Sequence, residues 1–423
     1  MTVLPKFSKL FLYPFFLFYI LLSTNSQGQN FNFDTPAQKL QNYVELIKKN
    51  KIAGGQSKEF EIREIQRGRI NLGETEDILI LHLKSLTWRG TVWEHQLTVL
   101  EPSRISSNLP PLVIFGLGQW EPQRTIFTVP VRDNLKPVIS GLVGYLKNLN
   151  RPIVYVQPLL MSPQRGLVND QIVSESLMAQ DPVYYPMVAA ASSVLDGLEQ
   201  HFGKSLNFVV VGASKSAWAA MLLGAVDTRV SGLVTLAYSF FGVADQWKFI
   251  QKNWNSELHS LVNSYKDYFS QSDDLIKEGL KTVDPKNFWE CSRLRDLPKF
   301  MILAADDRVW PTETFAFSEE LSIQGTSLWI MPEFDHEKAE PSAANIVELL
   351  QAFKNISEHL KSWDKAKPQF DFRTLFNVSN FFEKIEIQVK PSEESSVKQV
   401  EVFYSFSDTQ DFRKSNKWEI TRI

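Results

Sequence analysis

A single cysteine in 423 residues, Cys291, excludes any internal disulfide. Stability must come from buried apolar surface, which a chain of this length can supply. The thiol sits in F-W-E-C-S-R, away from any strand-to-helix corner, and reads as a buried structural group rather than a nucleophile. A surplus of one charge is also missing. The 45 Lys and Arg against 48 Asp and Glu leave a net charge of -3, with no basic footprint for nucleic acid. There is no H-E-x-x-H, no Cys/His cluster and no EF-hand loop, so no metal is expected. There is no G-x-x-x-x-G-K either, so G-L-G at Gly116 to Gly118 is not a phosphate loop and no cofactor is expected. Beyond residue 22 no apolar run is long enough to span a bilayer.

The N-terminus differs from the rest. Lys6 and Lys9 precede an apolar run over 10–22, broken only by Pro14, and small and polar residues follow. This predicts a secretory signal peptide over 1–28, cleaved near Ser26 or Gly28. The mature protein is then expected outside the cytosol, secreted or in a vesicular lumen, with no membrane span. The sequons at Asn355 and Asn377 agree with that route. At 43% hydrophobic and 22% charged, the remainder is globular rather than disordered.

The chain is organised around 208–220, F-V-V-V-G-A-S-K-S-A-W-A-A. The apolar run 208–211 predicts a buried strand, Gly212 to Ser214 a sharp corner, and 218–224 a helix. A serine on such a corner is the nucleophile elbow of α/β-hydrolases. Upstream, a helix is predicted over 35–50, and two antiparallel edge strands between 60 and 102. Trp88, Trp93 and His95 there read as edge-strand packing rather than a substrate patch. Strands at 112–115 and 153–156 flank a helix over 135–149, and a polar loop over 162–170 follows. An amphipathic helix over 185–202 leads into the elbow strand. Strands at 232–236, 300–303 and 327–331 follow, with helices near 313–321 and over 342–363. Strands alternating with helices predict a doubly wound parallel sheet.

The fold class expected is α/β: an α/β-hydrolase domain over 29–365, with a helical cap inserted at about 240–298. Period-two runs after residue 366 predict a small all-β domain over 366–423.

A serine hydroxyl needs a base. Of the six histidines, only His336 stands just past a late sheet strand and completes the chain order Ser, Asp, His. Asp306 and Asp307 both follow the strand at 300–303. A-D-D-R-V resembles the acid loop of prolyl-oligopeptidase-type peptidases, where the first aspartate acts, so Asp306 is the expected acid and Asp307 the alternative. Asp307 would otherwise cap a helix entry or pair with Arg308. The oxyanion donors expected are the N–H of Lys215 and that of Leu117 or Gly118. The catalytic set is thus Ser214, Asp306 and His336.

With these residues in view, the chain resembles the PhoPQ-activated pathogenicity-related proteins, a family that includes the secreted autocrine proliferation repressor of social amoebae. The similar stretches are S-L-T-W, W-E-H-Q-L-T-V, Y-P-M-V, G-A-S-K-S-A-W, V-D-T-R-V, V-D-P-K-N-F-W, A-A-D-D, F-D-H and D-F-R. They span nearly all of the mature chain. Where the family usually reads S-K-R-G-W, this chain has Ser216 and Ala217. The resemblance implies an α/β-hydrolase-like core and a C-terminal β region. Two functions follow as expectations. One is a secreted serine hydrolase acting on a peptide or ester through an acyl-enzyme. The alternative is a secreted signal that engages a cell-surface receptor.

Overall fold

The computed structural model describes residues 35–52, 61–71, 75–89, 91–100, 109–116, 152–157, 161–162, 166–167, 170–178, 182–237, 242–254, 260–289, 293–304, 307, 309–310, 326–331, 401–404 and 419–422. The chain divides into Met1–Thr35 and Pro36–Ile423, and every described helix and strand lies in the second unit.

Three antiparallel strands come first: β1 (Glu61–Asn71), β2 (Thr75–Trp88) and β3 (Thr91–Leu100). The two expected strands are β2 and β3. The third, β1, corrects the count. Its E-I-R-E-I-Q-R-G-R-I-N is wet at most positions, so it carries no apolar period. It forms the sheet's outer edge, where charged side chains are normal. Ile65 is the extra residue of a bulge between Glu64 and Gln66 and is exposed.

The inner strands are β4 (Leu112–Phe115), β5 (Ile153–Gln157), β8 (Phe208–Ala213), β9 (Val230–Leu236), β10 (Lys299–Ala304) and β11 (Thr326–Met331). Those from β4 to β10 are short, apolar and mostly buried, as strands covered on both faces must be. Two short strands, β6 (Met161–Ser162) and β7 (Gly166–Leu167), pair apart from the sheet at the start of the expected polar loop. The nine-stranded order is β1-β2-β3-β5-β4-β8-β9-β10-β11. From β5 onward the strands are parallel. Counted from β2, with β5 ahead of β4, this is the strand order of the α/β-hydrolase fold, with β8 central.

The helices are α1 (Pro36–Ile52), α2 (Asp170–Met178), α3 (Tyr184–Phe202) and α4 (Lys215–Val226), then α5 (Val243–Trp254), α6 (Ser260–Asn263), α7 (Lys266–Phe269) and α8 (Asp273–Leu280). A 3-10 turn, Pro285–Phe288, ends the series. Helix α3 stops at Gly203, whose left-handed φ of 64° lets its N–H return to the Glu199 carbonyl. Helix α4 is buried from Ser216 to Ala225, which explains why K-S-A-W-A-A-M-L-L-G-A-V shows no polar face. It packs on β8, β9 and α3, and α1 packs on α3.

Between β9 and β10 the chain inserts the helices α5 to α8. At the C-terminal end, β12 (Glu401–Tyr404) pairs antiparallel with β13 (Glu419–Arg422), within the expected all-β region. The expected helices over 135–149, 313–321 and 342–363 lie outside the described residues. No described helix is long and apolar enough to cross a membrane.

Candidate active site

Strand β8 runs into α4 through one residue, Ser214. Its backbone sits at φ 50° and ψ −124°, a region that non-glycine residues rarely enter. Three backbone bonds hold it there. The Ser214 N–H donates to the Leu236 carbonyl at 3.0 Å, and its own carbonyl accepts from Ala217 at 2.9 Å and Trp218 at 3.2 Å. Small neighbours make the corner possible. A Cβ on Gly212 would lie 2.5 Å from the Ser216 carbonyl oxygen and 2.7 Å from the Ala217 Cα. The chain therefore folds back on itself directly over that glycine. Ser216 and Ala217 are fully buried. The departure from Arg and Gly at these positions leaves the tight turn intact.

A second strained residue stands level with the serine. Ala213 pairs with Leu236 across β8 and β9, so the next residues, Ser214 and Ala237, end their strands side by side. Ala237 has φ 44°, and its N–H donates to Ile302 of β10 at 2.8 Å. Two positive-φ residues on one sheet edge are the concentration of backbone strain expected at a functional site. Sequence reading missed Ala237, because no Gly, Asn or Asp marks the turn.

Strand β10 also ends at this edge. Two residues beyond its last residue, Ala304, comes Asp306 in sequence, and then Asp307. Asp307 is buried, and its Oδ1 accepts from the N–H of Val309 at 2.8 Å and of Trp310 at 2.9 Å. That is the capping role of an aspartate that shapes a loop. Of the expected site residues, Ser214, Lys215 and Asp307 are described. Lys215 is the first residue of α4, where backbone N–H groups have no acceptor within the helix. Leu117, Gly118, Asp306 and His336 lie outside the described residues.

The approach to the expected oxyanion loop is visible up to Gly116, whose N–H donates to Val156 at 2.9 Å. The Tyr155 ring occupies the place a Cβ on Gly116 would take. Burial pushes the Tyr155 phenol up to about 12, so it stays protonated. On the far side, β3 continues past its last pairing with β5, Gln96 to Gln157, back to Thr91. The turn after Trp88 therefore lies beyond the strand ends, at the same edge as Ser214. There the Arg89 guanidinium sits 4.5 Å over the Trp88 ring, which meets Trp93 edge-on. Trp93 and His95 are buried, with His95 Nε2 2.7 Å from Ser85 Oγ, so both serve packing; β3 lies between β2 and β5, inside the sheet rather than at the expected edge.

The described histidines occupy other places. His82 is buried between β1 and β3, accepting at Nδ1 from Arg63, with Glu94 3.6 Å from Nε2. His201 ends α3, near Glu64. Burial is the largest influence holding both below the usual imidazole range. Among the described residues, no three His, Cys, Asp or Glu side chains gather as a metal site would require.

Comparison with known proteins places this geometry in context. The sequence model of the family described as PhoPQ-activated pathogenicity-related protein matches residues 67–413. Autocrine proliferation repressor protein A of Dictyostelium discoideum is 23% identical over 287 residues, 62% of this chain and 56% of that protein. The match thus spans little more than half the length of that relative. Among solved structures, the acetyl xylan esterase from Paenibacillus sp. R4 aligns with a TM-score of 0.48 at 12% identity, over 74% of this chain and 94% of that one. Acetyl xylan esterase 1 from Thermoanaerobacterium sp. JW/SL YS485 aligns at 0.45 and 15%, over 76% and 99%. At these values the likeness is one of chain path and reaches no site.

Proposed function

The chain belongs to the PhoPQ-activated pathogenicity-related protein family, and on that premise we propose that it is a secreted serine hydrolase acting on an ester or peptide acyl group. The observation that carries this reading is the positive φ of Ser214 at a strand-to-helix corner in the centre of an α/β-hydrolase sheet. Strain at that one position lifts a serine hydroxyl clear of the sheet edge. Strands β10 and β11 run parallel to it, and in sequence Asp306 stands two residues past the end of β10 and His336 five past the end of β11. The Asp307 carboxylate is engaged in shaping its loop, which supports Asp306 as the orienting acid.

In this mechanism Ser214 Oγ attacks the acyl carbonyl as His336 takes its proton, and Asp306 holds the imidazole and stabilises its charged form. The oxyanion is held by the N–H of Lys215 and that of Leu117 or Gly118. His336 then protonates the departing alcohol or amine. Water, activated by the same imidazole, hydrolyses the acyl-enzyme. Each oxyanion donor contributes about 3–4 kcal/mol to lowering the barrier. Residues 1–28 supply the secretory route, to be checked by N-terminal sequencing of protein recovered from the medium.

A serine-directed fluorophosphonate tests the proposal. Wild type should take one label, while Ser214→Ala and His336→Ala take none and are still secreted. A labelled Ser214→Ala protein would sink it. The amoebal relative favours a second reading, a secreted signal that uses the same fold to engage a cell-surface receptor. Under that reading Ser214→Ala would keep its full effect on cell proliferation.

A further inference from the structure

We infer that Trp218 is a positioning residue that couples the insert between β9 and β10 to the nucleophile, so that the two move as one body. The coupling is argued from contacts alone; its catalytic consequence rests on the proposed role of Ser214.

Trp218 is fully buried in α4, one turn beyond the serine. Its backbone N–H donates to the Ser214 carbonyl at 3.2 Å. Its indole Nε1–H donates to the Val283 carbonyl, in the insert, at 2.6 Å. The ring is stacked on Tyr184 of α3, with centroids 4.2 Å apart and planes 26° apart, so the indole cannot turn without losing that contact. One residue therefore bonds the nucleophile's own peptide through its backbone and the insert's base through its side chain.

The next residue, Asp284, is what makes Val283 part of that base. It is buried, and its carboxylate accepts from the N–H of Gly242 at 3.1 Å, Val243 at 2.8 Å and Lys286 at 3.0 Å. Residues 242 and 284 are the two ends of the helical insert, and this carboxylate closes them into a ring. The insert also reaches the acid loop, where Tyr265 meets Trp310 edge-on at 5.6 Å. Trp310 is one of the two residues whose N–H groups Asp307 caps. The insert is thus held by α4, which follows Ser214, and by the loop that follows β10. For it to swing as a free lid, the Trp218–Val283 bond would have to break, leaving a buried carbonyl without a donor.

Trp218→Phe keeps a ring on Tyr184 and removes the indole N–H, together with one edge of the ring system. In the full-length variant, native-state hydrogen exchange at 242, 243, 284 and 286 should quicken about tenfold, the effect of one buried hydrogen bond. Amides 214–218 should quicken with them, while β2 and β3 keep their rates. The limiting rate of fluorophosphonate labelling should also fall about tenfold, yet still reach one label per chain. Lost stability alone would not change that limiting rate in folded protein. The inference is overturned if the insert loosens while 214–218 keep their rates, or if the limiting labelling rate holds. If Trp218→Phe does not fold, Asp284→Asn replaces it. That change opens the insert's base without touching α4, and an elbow that then keeps its exchange rates overturns the coupling. If wild type takes no label, the hydrolase reading falls, and exchange alone decides the coupling.

Discussion

Ser214 adopts a backbone conformation that costs about 1–3 kcal/mol and persists only because its surroundings impose it. Gly212 makes that possible, since the atoms a Cβ would strike are backbone and cannot rotate away. Gly212→Ala should therefore lower stability by about 1–3 kcal/mol, read as a shift in urea midpoint, and slow labelling of Ser214 in the folded fraction. Gly116→Ala is the contrast. There the obstacle is the phenol end of the Tyr155 side chain rather than backbone, so the loss should be smaller than for Gly212→Ala. The serine and its small neighbours were legible because a tight corner demands small residues in a fixed order. Ala237 was not, since its strain is imposed by its bond to Ile302, 65 positions along the chain.

At the scale of elements, the edge opposite the site carries a charge network around Arg229. Arg229 precedes β9 and binds Asp196 at 2.8 Å, Glu199 at 2.8 Å and Asp227 at 2.7 Å, tying α3 to the turn after α4. Burial alone would lower the guanidinium's pKa, but hydrogen bonding and charge from Asp227, with Asp196 and Glu199, raise it instead. Arg229→Met would leave three partly buried carboxylates facing one another. It should cost about 3–5 kcal/mol in a denaturant titration. Labelling of the folded protein should be unchanged, because Ser214 lies at the other end of the strands. V-D-T-R-V was visible as a motif, but its role was not. Its partners sit on a helix some 30 residues earlier, and spacing along the chain does not reveal which charges meet. The same limit hid β1. Periodicity detects a buried face, and an edge strand wet on most sides has none. The insert's helices were legible from their apolar spacing, whereas its base depends on one buried carboxylate, Asp284, joining distant amides.

At the scale of the whole molecule, the elements could be read in order but their neighbours could not. Parallel strands have no local partner, so nothing in L-V-I-F or I-V-Y-V-Q says that β5 lies between β3 and β4. That arrangement has a consequence for pH. Pairing within the antiparallel wing encloses His82 between Arg63 of β1 and Glu94 of β3, and packing of α3 on the wing brings His201 to Glu64 of β1. Burial lowers both imidazoles from 6.5, Arg63 and Lys84 add to the effect at His82 and Arg67 adds at His201, and Glu94 and Glu64 oppose it. The folded protein therefore binds fewer protons at these sites than the unfolded chain does. Their contribution to stability is present above about pH 6.5 and is lost as the pH falls through the lowered folded values. The urea midpoint should drop between about pH 7.5 and pH 5.5, and His82→Gln with His201→Gln should flatten that drop. A double variant with the slope of wild type would show that the acid sensitivity does not arise from these two imidazoles.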